Sequence, residues 1–427
     1  MSEVALKARA ARRGAPAWLR AALPWAAAVA LILVLPHLLT TSFGRTLLTE
    51  MGIAIVFAAA YNVLLGETGM LSFGHAVYFG LGGYAAIHVL RLIAAGLLLP
   101  VALLPLVGGL GGLFFGLLFG YLSTRRAGTA FAMITLGLME LVVALALIFD
   151  HVFGGEEGIG GDRTSGPALL GVTFGSQVQV YYLIAAWMLL SLALMRAFTR
   201  TPVGRLCNAV RDNPERVQFL GYDPARIRLI AFAVSSFFAG VAGGLFAVNY
   251  ELMAINSLGA ERSALVLLMA YIGGVGSFLG PILGAALVTF LQVALSDYTQ
   301  AWLLYLGLFF VLVTLFAPNG LVGLVLMHAP IARAGLLHRL AAAYALALLP
   351  ALLLAAGAIA VVEIGYRLTI RPELGTAMRL FGVPFDAKSS GTWIACLLLI
   401  AAGAAGLRLV APYVSARWSE ALAEARA

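Results

Sequence analysis

The chain has 427 residues, 62% of them apolar or aromatic and 11% charged, with a mean hydropathy of +0.99. A soluble domain carries roughly 25% charged residues and about half apolar ones, so these proportions exclude a soluble globular protein and require lipid as the solvent. The net charge of +8 raises nucleic acid as a partner, but arginines gathered on one membrane face account for it equally well.

Apolar runs bounded by charge or by Gly, Pro and Asn predict about twelve transmembrane helices. They lie near 19–39, 47–65, 70–90, 97–122, 128–149, 180–197, 229–249, 263–276, 280–296, 301–317, 340–362 and 392–411. The expected fold is all-α: a polytopic bundle of about ten core spans, with broken glycine-rich segments, followed by a C-terminal two-span hairpin. Residues 1–18 form a basic segment, 19–325 the core and 326–427 an extension. Lys7, Arg9, Arg12, Arg13 and Arg20 precede or open the first run, which is too long for the apolar region of a signal peptide. Most Lys and Arg residues fall in alternate segments, at the N-terminus, at Arg125 and Arg126, from Arg196 to Arg228, and near the C-terminus. Because basic residues concentrate on the cytoplasmic side, both termini are expected there.

Two segments depart from ordinary spans. Gly66–Gly83 reads GETGMLSFGHAVYFGLGG, with Gly69, Gly74, Ser72 and His75; Gly273–Gly284 reads GGVGSFLGPILG, with Gly274, Gly276 and Gly280. Glycine permits both close packing and a broken helix, and broken helices in both halves of a membrane protein point to a transport pathway. Asn62 and Thr135 are polar groups within spans and are open between holding helices together and lining that pathway. His75 is open between lining a cavity and binding a carbonyl freed by the break. Glu140 stands mid-span, where facing lipid costs at least ~2.5–3.5 kcal/mol; it is expected to face the bundle interior or a cavity. Beyond it, the acidic loop from Asp150 to Gly166 carries Glu156, Glu157 and Asp162.

The segment 199–228 is dense in helix punctuation. Thr201–Pro202, Asn213–Pro214 and Asp223–Pro224 each place a capping side chain before a proline at the first helical position, and Gly221 suits a left-handed C-terminal cap. Two short helices along the cytoplasmic surface are predicted, presenting Arg205, Arg211, Asp212, Glu215 and Arg216. Cys207 and Cys396 suggest no disulfide framework.

The stretch from Thr201 to Ala247 resembles the inner-loop signature of the branched-chain amino acid permeases of bacterial ATP-binding-cassette importers. Asn62–Gly66, Leu71–His75, Arg126–Ala132 with Thr135, Leu136 and Glu140, Gly273–Pro281, and Ala317–Leu321 are similar to that family in the same order, over roughly 45–325. The resemblance implies a permease subunit paired with a second, related permease, two cytoplasmic ATP-binding subunits and a periplasmic solute-binding protein. ATP and Mg would be used by the partners, with no cofactor bound by this chain. It further implies that the 199–228 loop docks on the ATPase, with Arg205, Arg211, Asp212, Asn213 and Gly221 as coupling positions. The substrate class it suggests is branched-chain or related hydrophobic amino acids; amides, urea and aromatic acids are transported by relatives. In agreement, the chain contains no G-x-x-x-x-G-K-[ST], H-E-x-x-H, C-x-x-C or G-x-S-x-G, so no catalytic residue or metal ligand is assigned. A self-sufficient proton-coupled transporter using Glu140 is the alternative.

Overall fold

The computed structural model describes residues 17–167, 172–370, 373, 375–380 and 382–426; most of the basic N-terminal segment, including Lys7, Arg9, Arg12 and Arg13, lies outside them. The described residues are overwhelmingly helical. In chain order the helices are α1 (Ala17–Leu38), α2 (Ser42–Thr68), α3 (Ala76–Ala94), α4 (Leu104–Ser123), α5 (Thr129–Ile148), the single turn α6 (Asp150–Phe153), α7 (Gln177–Arg200), α8 (Pro202–Asp212), α9 (Pro214–Phe219), α10 (Pro224–Tyr250), α11 (Ala260–Gly273), α12 (Gly280–Tyr298), α13 (Trp302–Phe316), α14 (Gly320–Arg333), α15 (Leu337–Thr369) and α16 (Ser390–Arg426). Two small antiparallel ladders complete the description: β1 (Ile159–Gly160) with β2 (Leu252–Met253), and β3 (Ala377–Leu380) with β4 (Val383–Asp386).

Among the described residues, nine helices are long and apolar enough to span a membrane, or ten if α13 and α14, bent by 44°, count as one. The protein is a multi-pass helical membrane protein. The apolar run near 263–276 does not become a full span: α11 has 14 residues and at 1.5 Å per residue is about 21 Å long, short of the ~30 Å hydrocarbon layer.

The chain divides into two compact units, residues 1–293 and 294–427. In the first, α10 is the central post, packed by α2, α3 and α4. Lipid offers helices no hydrophobic drive to associate, so close backbone packing must supply it. A Cβ on Gly240 of α10 would stand 2.2 Å from the Gly108 carbonyl oxygen of α4, a contact that leaves no room for any side chain. The outward face of α4 instead carries exposed Leu110, Phe114, Leu117, Leu118 and Tyr121. In the second unit, α15 and α16 pair antiparallel, since Gly357 lies against Ile400 while Leu340 packs with Ala421. Arg339 and Glu424 form an ion pair at one end, and the Tyr305 hydroxyl donates to Glu363 Oε1 at 2.8 Å.

Candidate functional site

The first glycine-rich segment is a true break. α2 ends at Thr68, where Gly69, at φ +69°, closes the helix with its N–H on the Leu65 carbonyl; α3 begins only at Ala76. Non-helical backbone at membrane depth survives only if its polar groups find partners, and here side chains provide them. The Tyr61 hydroxyl donates to the Ser72 carbonyl at 2.9 Å, the Phe73 N–H donates to Thr135 Oγ1 at 3.2 Å, and the Ala76 N–H donates to Ser263 Oγ at 3.0 Å. His75 is fully buried among Phe57, Tyr61, Tyr78 and Phe232. Its Nε2 lies 3.1 Å from Ser235 Oγ, whose hydroxyl donates to the Ala60 carbonyl at 2.6 Å. With its hydrogen spent there, Ser235 can only accept from the ring, which places the imidazole proton on Nε2. Gly74 allows this segment to touch α5: a Cβ there would sit 2.1 Å from the Thr135 carbonyl oxygen.

The second segment breaks between α11 and α12, where Gly273 and Gly280 abut backbone to backbone and Gly274 and Gly276 have positive φ. Asn62, on α2, reaches across to it. The Asn62 Nδ2 donates to the Ser277 carbonyl at 3.2 Å, and its Oδ1 accepts from the Gly276 N–H at 3.2 Å. One residue of α2 thus closes two backbone groups of a break more than 200 positions away. Four of the five polar residues expected along a pathway, Asn62, Ser72, His75 and Thr135, are gathered in the interior around the two breaks, and the side chains of Asn62, His75 and Thr135 are engaged in holding them.

Glu140 is not with them. It was expected to face the bundle interior or a cavity, but α5 exposes it on a stripe with Met133, Gly137 and Leu141, turned away from the rest of the chain. The reason is helical phase: Thr135, Met139 and Val142 take the buried side, which puts position 140 outside. The bundle interior therefore holds no carboxylate from this residue for proton coupling.

The 199–228 segment folds as its caps dictate. Thr201, Asn213 and Asp223 accept from the backbone N–H groups of Gly204, Arg216 and Ala225 at 3.1, 2.9 and 2.9 Å, each followed by proline at the first helical position. Gly221, at φ +87°, lets Tyr222 N–H return to the Val217 carbonyl, the hydrogen bond that ends a helix in a left-handed turn. Cys207, Val210, Val217 and Ile227 form a small core that seats α8 and α9 on the start of α10. Burial, and then the Glu67 carboxylate, push the Cys207 thiol up to about 12.

The five positions that the family resemblance implies for coupling divide by what they touch. Arg211 turns to the membrane bundle: its Nη1 donates to the Gly66 carbonyl at 2.5 Å, in the last turn of α2, while its Nε pairs with Asp212. Beside it, Asn208 Nδ2 donates to Glu67 Oε2 at 2.5 Å. Asn213 caps α9, Gly221 makes its exit turn, and Arg205 is exposed. The residue that sequence reading passed over is Phe219, 91% exposed at the tip of α9, with Leu220 and Tyr222 also exposed. The signal was present: Phe219 and Leu220 sit at the end of a helix whose apolar side is already filled by Val217. Asn208, Glu67, Ser235 and Ser263 were passed over as well, since single polar residues acquire meaning only when their partners are known.

At the opposite end of this unit, Arg163 closes α10. It donates to the carbonyls of Phe174, Val248 and Asn249 at 2.9, 3.2 and 2.9 Å, and its own N–H donates to Glu251 Oε1. Asp162 is engaged locally, accepting from the Thr164 N–H and hydroxyl and from Ser165; these hydrogen bonds hold its carboxyl below the usual carboxylate range.

A capped surface helix pair tied to a bundle with two breaks is matched by sequence comparison. The family described as branched-chain amino acid transport system, permease component, matches residues 44–318. The chain belongs to this family. Among its relatives, the high-affinity branched-chain amino acid transport system permease protein LivM of Escherichia coli K12 is 30% identical over 294 residues, covering 63% of this chain and 67% of that protein. The probable branched-chain amino acid transport permease LivM of Methanocaldococcus jannaschii is 25% identical over 303 residues, 62% of this chain and 84% of its own length. The autoinducer 2 import system permease protein LsrC of E. coli DH10B is 29% identical over 279 residues, 61% and 75% of the two chains. No solved structure matches the chain. The matched range contains both breaks, Glu140, and the whole of α8 and α9, so this permease carries the elements of the candidate site within its family region. The α15–α16 hairpin lies beyond it.

Proposed function

We propose that the chain is the transmembrane permease subunit of an ATP-driven importer of branched-chain or related hydrophobic amino acids, in a bacterial inner membrane with both termini cytoplasmic. Its partners are a second, related permease, two cytoplasmic ATP-binding subunits that use ATP and Mg, and a periplasmic solute-binding protein. Family membership supports the permease role. The observation that carries the coupling is the joint between α8 and α2.

α8 and α9 form a rigid foot with an exposed apolar tip at Phe219, a surface suited to a protein groove. Displacement of that foot pulls on the last turn of α2 through Arg211–Gly66 and Asn208–Glu67. One turn further along the same helix, Asn62 holds the Gly276–Ser277 backbone, and the end of α2 is the start of the first break. A movement delivered at Phe219 therefore reaches both breaks through hydrogen bonds of named residues. Glu140, exposed on α5, is covered by the second permease or lines the water-filled seam between the two, which removes the cost of facing lipid.

The test is uptake of radiolabelled L-leucine, L-isoleucine and L-valine by a strain lacking this gene, with and without the gene restored, together with affinity purification of the restored subunit in mild detergent. Restored uptake with two ATP-binding subunits and a second permease in the purified complex is the expected result. A lone polypeptide that moves solute down a proton gradient would overturn it.

A further inference from the structure

Two adjoining cavities of about 290 and 230 Å³ open at the end of the bundle away from α8, and they share Phe246, Tyr250, Arg262, Leu265 and Gln292. Together they fall within the ~300–1,000 Å³ typical of small-molecule sites. Of their residues only Phe57 also packs on a break, and none belongs to the foot.

Two of the polar groups here are charged, and a third is a buried hydroxyl without a partner among the described residues. Arg262, at the start of α11, is half-buried and lies over the rings of Phe79 and Phe246, at 4.9 and 4.7 Å from their centroids. Among the described residues no carboxylate pairs with its guanidinium and no acceptor receives its N–H groups; the rings hold it in place by cation–π attraction and leave its fork of donors free. Glu50, on α2, lines the same cavity, its Oε1 accepting from the Tyr250 hydroxyl. The carboxylate lies within electrostatic reach of Arg262 but forms no ion pair with it, so both charges face the cavity with hydrogen-bonding capacity to spare. Thr289, on α12, is 4% exposed and faces the cavity with an Oγ1 that has no partner among the described residues. Apart from Gln292 the rest of the second cavity's wall is apolar, with Ile53, Phe57, Val266 and Met269, while the first cavity adds the polar Asn256, Ser257 and Glu261.

We infer that this cavity is a binding site for a small zwitterion with an apolar tail, an α-amino acid, on its way through the permease. Arg262 and Thr289 bind the carboxylate, Glu50 binds the ammonium, and the wall around Phe57 and Met269 takes the side chain. An inorganic anion would leave Glu50 repelling it, a cation would be repelled by Arg262, and a hydrocarbon chain would satisfy neither charge. The site touches α2, α3, α11 and α12, the helices that flank both breaks: Phe57 stacks on His75 of the first, and α11 ends at Gly273 of the second. Occupancy is thereby sensed by the elements that the α8 foot moves from the other side. The assignment rests on the amino-acid importer reading and adds to it a site on the permease itself.

The test is calorimetric titration of the purified full chain in lipid nanodiscs with three probes: L-leucine, 4-methylpentanoate, which lacks the ammonium, and 3-methylbutylamine, which lacks the carboxylate. Leucine is expected to bind at least tenfold more tightly than either analogue. Arg262→Gln should weaken leucine and 4-methylpentanoate at least tenfold while leaving 3-methylbutylamine unchanged, and Glu50→Gln should do the reverse for the amine. Retention of one analogue shows that each variant is folded. No leucine binding by the wild type, or equal losses for all three probes, would overturn the site. Leucine uptake by the gene-restored strain separates the two readings: uptake without binding at this cavity sinks the site and leaves the importer, whereas binding without uptake sinks the importer reading.

Discussion

Arg211 Nη1 donates to the Gly66 carbonyl at 2.5 Å, so the surface helix α8 is fastened to the final turn of the transmembrane helix α2 by a charge-assisted bond. The carbonyls of a helix's last turn have no partner within the helix, and a guanidinium placed there satisfies one of them and complements the helix dipole. A hydrogen bond to a charged group contributes about 1.5–3 kcal/mol. This is enough to transmit a displacement and too little to stiffen the whole subunit.

Removing it should therefore disconnect the foot without unfolding the bundle. Arg211→Ala is expected to leave membrane insertion and ATPase docking intact, to lower leucine uptake by tenfold or more in reconstituted complexes, and to leave ATP hydrolysis running. Cys207 reports the same event: packed under α8 with its thiol pushed up to about 12, it should resist maleimide in the wild type and label faster in Arg211→Ala. Uptake still tightly coupled to hydrolysis in that variant would place transmission elsewhere.

Phe219 tests the other end of the foot. A phenyl ring 91% exposed on a capped, six-residue helix contributes nothing to this chain's own core, so Phe219→Asp should insert and fold as the wild type does. If the ring fills a groove on the ATP-binding subunit, a buried carboxylate in its place costs several kcal/mol, and the ATPase should be lost from the purified complex. Full co-purification would remove Phe219 from the interface.

The elements legible in the sequence were those with local causes. Three cap–proline pairs and Gly221 determine α8 and α9 without help from the rest of the chain, and both breaks are marked by glycines whose neighbours are now seen in backbone contact. The partners were not legible. Asn62 read alone is a polar residue in a span; only the fold reveals that Gly276 and Ser277 stand opposite it. Glu140 could not be placed from cost alone, which gives no direction: helical phase turns it away from this chain's own interior, and lipid can be avoided at a subunit seam as well as inside the bundle. The cavity at Arg262 was invisible because Glu50, Arg262 and Thr289 are spread over three helices with no spacing to connect them.

Asn62 gives the sharpest stability test. Asn62→Leu leaves the Gly276 N–H and the Ser277 carbonyl without their partner, at about 1–3 kcal/mol for each buried group left unsatisfied. The melting temperature in detergent should fall by several degrees and uptake should drop in parallel. Asn62→Asp keeps the acceptor for Gly276 but turns a carboxylate oxygen against the Ser277 carbonyl in a buried site, so at neutral pH its loss should be at least as large. Equal stability of all three proteins would mean that the second break is held by other means.

Glu140 distinguishes a buried seam from lipid contact. If the second permease or a water-filled seam covers it, Glu140→Gln should preserve insertion and pairing, and Glu140→Leu should pair less well if the carboxylate is hydrogen-bonded there. Were the side chain in lipid, Glu140→Leu would instead relieve at least ~2.5 kcal/mol and raise the melting temperature of the isolated subunit and of the complex alike. Comparing the two melting temperatures decides the matter: a change confined to the complex locates Glu140 between subunits.

Asp162 supplies a prediction in pH. Its carboxylate accepts three hydrogen bonds from Thr164 and Ser165, which hold its pKa below the value of the unfolded chain. A depressed carboxylate contributes its full stabilisation above the unfolded value of about 3.9, and the contribution is lost as pH falls through the folded value, because the protonated form accepts these bonds weakly. The Thr164 amide should therefore exchange slowly, relative to its intrinsic rate, at neutral pH, and lose protection only below the ordinary carboxylate range. In Asp162→Asn the same amide should be less protected throughout and show no such transition. Because Arg163 next to it caps α10 at Val248 and Asn249, the loss of this turn should also loosen the end of α10, seen as faster exchange at Asn249 and Tyr250 over the same pH interval. Unchanged exchange at Tyr250 would show that Arg163 holds the end of α10 without the Asp162 turn.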